Sequence, residues 1–410
     1  MSNLIIILIS IAVFTTTILA LIGFLLLAAS KLMPGGECKI TINDDESKSP
    51  TVKSGGTLLS VLADQNVYLP SACGGGGTCA MCKCQVFEGG GDILPTETSL
   101  ISRKEAKDHW RLSCQVKVKQ DMKIGVPEEI FGIKKFTCTV TSNANVATFI
   151  KDLDLSIDDG VKLDFEAGQY IQIDIPAYRN SYKEFAIEEE YREDWDRFNL
   201  WQYNGVNPEE IFRAYSMANH PAEGNRVKLN VRIASPPPNK PEVAPGIASS
   251  YIFNLKPGDK CVLSGPYGDF LCRDTEREKI YVGGGAGMAP MRSHVFDLFH
   301  TRKWQHKTSF WYGARSVREM FYDDEFKAIE SEFPNFKYHV ALSAPLPEDK
   351  WNGKTGFIHQ VLLNEYLSKH PEPEECEYYL CGPPMMIDAV TNMLLDIGVD
   401  QEMISFDSFG

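Results

Sequence analysis

Three cysteines crowd one glycine-rich stretch, Cys73-Gly-Gly-Gly-Gly-Thr-Cys79-Ala-Met-Cys82, and a fourth, Cys114, stands well downstream. Thiolates select soft metals and iron–sulfur clusters, and plant-type [2Fe–2S] sites use C-x4-C-x2-C with one distant cysteine. The first gap here is one residue longer, C-x5-C-x2-C, so the pattern is a variant of that type. Consecutive glycines let the backbone curl around a cluster with amides turned toward sulfur. Zinc sites more often use two short-spaced cysteine pairs, which this arrangement lacks. Cys73, Cys79, Cys82 and Cys114 are therefore expected to ligate a [2Fe–2S] cluster. Cys84 lies on the strand leaving the loop and reads as a buried thiol, as do Cys38, Cys138, Cys261, Cys272 and Cys376. The histidines form no metal pair: His294, His300 and His306 spread around a helix.

Two further groups of motifs suit nucleotides. Arg213-Ala-Tyr215-Ser216 could serve a flavin. Arg213 would pair with a phosphate, Tyr215 would lie on the ring system, and Ser216 would donate near N5. A surface turn is the plain alternative. Gly246-Ile-Ala248-Ser249-Ser250-Tyr251 could open a helix whose N-terminal amides bind pyrophosphate, and Gly265 to Phe270 would close the same domain. A strand at 279–282 runs into Gly283-Gly284-Gly285-Ala-Gly287-Met288-Ala-Pro290, a turn and helix start suited to a dinucleotide. It departs from G-x-G-x-x-G because position 288 is Met. Tyr378-Tyr-Leu-Cys381-Gly382-Pro383 ends another strand at the edge where such sheets bind ligands, so Cys381 could pack near the nicotinamide C4 or be a small core residue. Phe409 is expected to cover the open flavin face in preference to Phe406, with a frayed tail as the alternative. Arg315 and Ser316 could touch a 2′-phosphate.

These residues must be positioned by several domains, because about 100–200 residues per domain gives two to four in a chain of 410. Residues 1–30 carry no charge, and the apolar run 4–29 is long enough to cross a bilayer as a helix. A signal peptide would want a basic leader and a shorter run. Lys31, Lys39 and Lys48 follow the run and no Lys or Arg precedes it, which predicts a single-pass anchor with the soluble bulk in the cytoplasm. In that compartment the eleven cysteines imply metal or redox chemistry rather than disulfides. Residues 36–130, with short strands around a helix at 57–65, are expected to form an α+β cluster domain. Residues 131–275 are expected to form an antiparallel β-barrel, with strands at 136–140, 170–175 and 227–233. Residues 276–410 alternate strands and helices and predict an α/β doubly wound domain. The long stretch 176–212 reads as either a docking element or a self-packed lobe. A net charge of −14 argues against nucleic acid as a partner.

Taken together, residues 37–410 resemble the ferredoxin–flavin–NAD(P) reductases, in which a ferredoxin:NADP reductase-like module is fused to a β-grasp ferredoxin domain. The resemblance rests on the cysteine loop, the run Gly89-Gly-Gly-Asp-Ile-Leu-Pro95, and the 213–216, 283–290 and 381–384 motifs. With the anchor included, the whole chain resembles the F subunits of bacterial sodium-translocating NADH:quinone oxidoreductases. That resemblance implies FAD, NADH as donor, and a multisubunit complex of the bacterial inner membrane that reduces quinone. It implies hydride passing from NADH to FAD, with Ser216 and Cys381 aligning the path, and single electrons leaving through the cluster. A reductase component feeding an oxygenase shares the domain order but is typically soluble, and a membrane-tethered ferredoxin would lack the nucleotide motifs.

Overall fold

The computed structural model describes residues 9, 11–24, 36–158 and 160–408. Residues 11–24 form helix α1, with Ile11, Val13, Phe14, Leu19, Leu21 and Phe24 all exposed. Thr16 and Thr17 donate their hydroxyls to the carbonyls of Ala12 and Val13, each at 2.8 Å. Among the described residues no helix is long and apolar enough to cross a membrane. Much of the expected 4–29 anchor lies outside the described residues.

From residue 36 the chain groups into two units: the chain up to Ser71 together with Gly75–Gly132 is the first, and Ala72–Gly74 with Ile133–Gly410 is the second. The first unit contains β1 (Glu37–Ile42), β2 (Thr51–Lys53), α2 (Leu58–Ala63), β3 (Lys83–Glu88), α3 (Arg103–Lys107), β4 (Trp110–Leu112) and β5 (Met122–Gly125). Its sheet runs β2-β1-β5-β3-β4, parallel only between β1 and β5. Alternation along β1 turns Cys38, Ile40 and Ile42 inward. Leu58, Leu59, Val61 and Leu62, on the inward side of α2, are buried as well. Thr57 starts that helix by accepting the Ser60 N–H, a cap whose loss costs about 1 kcal/mol. A five-stranded mixed sheet with two short helices agrees with the expected α+β cluster domain.

The second unit begins with β6 (Lys134–Ala147), β7 (Ile150–Ile157), β8 (Tyr170–Ile175), β9 (Tyr178–Ser181), α4 (Glu189–Arg197), β10 (Asn204–Asn207), β11 (Ile211–Ser216), β12 (Arg226–Arg232), α5 (Ile247–Asn254) and β13 (Lys260–Tyr267). Six of these strands pair antiparallel in the order β11-β8-β13-β6-β7-β12. A bridge between Met217 and Leu229 brings the two outer strands together and closes the barrel. The stretch 176–212 is a self-packed lobe: Tyr182, Phe185 and Trp195 join the barrel's own apolar core, and β9 pairs with β10. Its aromatic side chains bury surface worth roughly 1.5–3 kcal/mol each, which accounts for its composition.

The same unit continues with β14 (Lys279–Gly284), α6 (Met288–Phe296), β15 (Thr308–Ala314), α7 (Asp323–Glu332), β16 (Phe336–Leu342), β17 (Lys354–Thr355), α8 (Ile358–Glu365), β18 (Glu377–Gly382), α9 (Pro384–Asp396) and β19 (Ile404–Ser408). These strands form an all-parallel sheet in the order β17-β16-β15-β14-β18-β19. β14 and β18 are buried at every position, as central parallel strands must be. The chain leaves β14 in one direction and returns on its other side at β18, so the strand order reverses between them. Ligands of open α/β sheets bind at the carboxyl ends beside such a reversal. Helix α6 locks the sheet to the barrel. Arg292 pairs with Glu223 and Glu325, each at 2.7 Å, and His294 Nε2 bonds the Phe270 carbonyl at 2.8 Å. Burial lowers the His294 pKa to about 4, so this residue is a neutral strut.

Candidate functional site

In the first unit, the cysteine loop leads into β3. Gly75 adopts φ 86° and Gly77 φ 74°, both in the left-handed region that glycine enters without strain. A Cβ on Gly77 would lie 2.6 Å from Gln115 Nε2, so only glycine lets that amide cross the loop. Gln115 Nε2 in turn donates to Cys114 Sγ at 3.6 Å, while its Oε1 accepts from Thr96 at 3.0 Å. This N–H···S contact escaped the sequence reading, although Gln115 directly follows a predicted ligand.

Cys114 is held by a buried clamp. Arg111 of β4 donates to Glu97 through Nε at 3.0 Å and Nη2 at 2.7 Å, and to the carbonyls of Gly90 and Gly91 through Nη1. Leu112 N–H also donates to Glu97. Burial works to raise the Glu97 carboxyl, but the Arg111 bond and the amides of Leu94 and Leu112 outweigh it and hold it below its ordinary value. The glycine run at 89–91 thus anchors the strand that delivers Cys114.

Cys82 and Cys114 are brought together. The Cys114 sulfur beside it, aided by burial, pushes the Cys82 thiol far above its ordinary value. Two adjacent thiols resist losing both protons, and a cation between them removes that penalty. Paired thiols with an amide aimed at one sulfur suit an iron–sulfur cluster. Cys79 is half-buried in the first unit, and Cys73, also half-buried, groups with the second.

In the second unit, β11 carries Arg213 and Tyr215 on one face and Ser216 on the other. Arg213 is half-buried, and burial raises the Tyr215 phenol so that it stays neutral. Gly246 lies where a Cβ would come 2.6 Å from Ala234 Cβ, and α5 begins there with no side-chain cap. Its first-turn amides, including those of Ala248 and Ser249, have no carbonyl partner within the helix and suit a phosphate. The hydroxyls of Ser249 and Ser250 are engaged within the protein. Ser249 Oγ accepts from Ala234 N–H at 3.1 Å, and Ser250 Oγ donates to the Gly246 carbonyl at 2.7 Å and meets Tyr182 OH at 2.9 Å. They brace the loop that opens α5.

Gly284, Gly285, Gly287, Gly382 and Pro383 gather at the carboxyl ends of β14 and β18, where Gly283 pairs with Cys381. A Cβ on Gly287 would collide with the Cys381 carbonyl, so glycine there permits α6 to start against β18. The Met288 side chain is fully buried in the apolar core, so only its backbone amide could serve a phosphate there.

The sequence reading missed Asp407. It pairs in register with Cys381, and its Oδ2 accepts from Ser216 Oγ at 2.6 Å. Ser216, Asp407 and Cys381 therefore form one nest between barrel and sheet. Burial raises the Asp407 carboxyl despite the Ser216 bond, with Asp269 adding to the rise. Burial, with the Asp407 charge, raises the Cys381 thiol well above its ordinary value. The nest thus resists charge, as suits a path for hydride. Buried polar groups and glycine-lined backbone fit a flavin and a nicotinamide meeting there. Phe406 is half exposed, and Phe409 lies outside the described residues.

Three family models match the chain: a 2Fe-2S iron-sulfur cluster binding domain over residues 40–119, an oxidoreductase FAD-binding domain over 197–271, and an oxidoreductase NAD-binding domain over 281–392. The chain is 56% identical over 401 residues, 98% of both chains, to the F subunit of the Na(+)-translocating NADH-quinone reductase of Pseudomonas aeruginosa. It is 56% identical over 400 residues, again 98% of both, to the protein of the same name from Actinobacillus succinogenes. Among solved structures, an Amycolatopsis cytochrome P450 reductase shares the fold with TM-score 0.64 at 22% identity, covering 91% of this chain and 98% of that one. A ferredoxin reductase in carbazole 1,9a-dioxygenase matches with TM-score 0.61 at 25% identity, covering 92% of this chain and 99% of that one.

Proposed function

The chain belongs to the family of Na(+)-translocating NADH-quinone reductase F subunits, and on that premise we propose how its residues carry electrons from NADH toward quinone. It is the electron-input component of that membrane complex, an oxidoreductase with FAD, NADH and [2Fe–2S] sites. When bound, the flavin takes hydride and yields single electrons, which the cluster carries onward.

The chain's own residues position these groups. Arg213 holds phosphate, Tyr215 packs on the ring system, and the first turn of α5, from Gly246 through Ala248 and Ser249, receives pyrophosphate. Gly284, Gly285 and Gly287 let the dinucleotide backbone approach, and Gly382 and Pro383 shape the far wall. Ser216 gives its one hydroxyl proton to Asp407, so it would donate toward a bound flavin only by turning from that carboxylate, and Cys381 would close the pocket beside the nicotinamide. No side chain needs to act as general acid or base. Cys73, Cys79, Cys82 and Cys114 hold the iron, with Gln115 donating to Cys114. Residues 36–130, 131–275 and 276–410 divide these tasks among cluster, flavin and NADH.

The observation that carries this assignment of roles is the Ser216–Asp407 bond beside Cys381, which unites barrel and sheet residues at the strand-order reversal. Residues 4–29 are the single-pass anchor, supported by the exposed apolar side chains of α1 and by threonine hydroxyls satisfied inside the helix. One helix contains no ion path, so sodium translocation belongs to partner subunits. An oxygenase-feeding role is opposed by near full-length relatives at 56% identity against 25% for the dioxygenase reductase.

Removing residues 1–30 tests the anchor. NADH oxidation by ferricyanide should persist within about twofold, because the pocket is built elsewhere, while quinone reduction in membranes is lost. Quinone reduction that survives the deletion would overturn the anchored arrangement.

A further inference from the structure

β18 has a cysteine at each end. Cys381 faces the nucleotide crevice, and Cys376 lies just before the strand at the opposite, amino edge of the sheet. There it meets Glu278, which precedes β14, and His370 from the connection between α8 and β18. The Glu377 N–H donates to the Glu278 carbonyl at 2.9 Å and ties the two strand entries together. We propose that Glu278, His370 and Cys376 form a zinc-class cation site that clasps the α8–β18 connection to the sheet.

The geometry suits such an ion. His370 Nε2 lies 3.2 Å from Glu278 Oε2 and 3.9 Å from Cys376 Sγ. All three ligand atoms lie within 4.8 Å of one another. Ligands about 2.0–2.3 Å from a tetrahedral zinc stand about 3.3–3.8 Å apart, so small rotations close the site. The side chains are enclosed, with Glu278 and His370 only 11% and 12% exposed and Cys376 2% exposed. One sulfur, one imidazole nitrogen and one carboxylate oxygen form a borderline-soft set that prefers zinc to calcium or magnesium, and water would complete four-coordination.

The surroundings orient the ligands. Tyr366 OH donates to Glu278 Oε1 and fixes the carboxylate. His370 Nδ1 accepts the Glu372 N–H at 3.2 Å, which puts the ring proton on Nε2. Coordination sends the thiol proton to water and moves the ring proton to Nδ1, giving up that contact. Lys307 Nζ lies 3.2 Å from Glu278 Oε2 and also reaches Tyr366 OH. It is the competing cation, but its side chain is 57% exposed and can turn into solvent.

The test uses the full chain with flavin and iron in place. It is given about one equivalent of zinc sulfate, desalted, and analysed for zinc and iron together. Wild type should retain about one zinc per chain with iron unchanged, and melt about 2–5 °C higher. Cys376→Ser and His370→Ala should each cut retained zinc at least about tenfold. Lys307→Ala, which removes the competitor, should tighten binding and also shows that loss in the other variants is not a folding artefact. X-ray absorption should show one sulfur at about 2.3 Å and nitrogen or oxygen at about 2.0–2.1 Å. The proposal falls if wild type retains no more zinc than Cys376→Ser, if the shell lacks sulfur, or if Lys307→Ala weakens retention. It falls equally if zinc slows flavin reduction by NADH alike in wild type and Cys376→Ser, because the ion then sits at the crevice.

Discussion

Cys82 in the loop and Cys381 in the crevice both have raised thiol pKa values, for different reasons. At Cys82 the leading cause is the neighbouring Cys114 sulfur. At Cys381 it is burial, with the Asp407 charge behind it. A cation bridging two thiols reverses the first and turns crowding into affinity. Nothing about a bound nicotinamide reverses the second, so Cys381 stays a neutral wall. Crowded thiols in a glycine loop therefore suit iron, whereas a single buried thiol beside a carboxylate suits a pocket that must shape hydride transfer without reacting.

The contrast breaks most severely if the loop loses its clamp. Arg111→Ala leaves Glu97 buried without its partner and should cost about 3–5 kcal/mol in chemical unfolding of the cluster domain, with iron lost first. A cost below about 1 kcal/mol would show that the clamp is not what holds Cys114. At the crevice, Cys381→Ala should keep iron and flavin but lower the rate of flavin reduction by NADH about 100-fold, the scale of a small misplacement of reacting atoms. Stopped-flow measurement decides it, and an unchanged rate would demote Cys381 to core filler.

Asp407→Asn should be milder, lowering that rate about tenfold through a misoriented Ser216. Its stability signature has a definite sign. The folded-state pKa of Asp407 is raised, so the stability it contributes is fully present below the ordinary carboxylate value and is lost as pH rises through the folded value. Relative to wild type, Asp407→Asn should therefore gain thermal stability as pH rises from about 4 to 7. The smallest effect belongs to Gln115→Leu. Losing one N–H···S bond should lower the cluster potential by roughly 20–60 mV in a redox titration while leaving flavin reduction untouched.

Legibility in the sequence followed the distance over which each feature is specified. The cysteine loop and the 283–290 and 381–383 motifs are local, so their spacing alone located them, and the uniform burial of β14 and β18 agrees with the expected parallel sheet. Asp407 was invisible because it meets Cys381 only through the register of β18 and β19. The partners of the Ser249 and Ser250 hydroxyls were not legible, because Tyr182 and Ala234 are remote in sequence. The 176–212 lobe concealed its role because its aromatics join the barrel core. His370 and Cys376 carried no metal spacing with Glu278, because only the pairing of β14 with β18 assembles them.

The most direct test of electron flow from NADH through flavin to iron is electron spin resonance of the full chain reduced by NADH alone, with Cys82→Ala beside it. Wild type should show an iron–sulfur signal, and the variant should show none while its flavin still bleaches on adding NADH. A reduced wild type with no iron–sulfur signal, or a variant that retains one, would contradict the account.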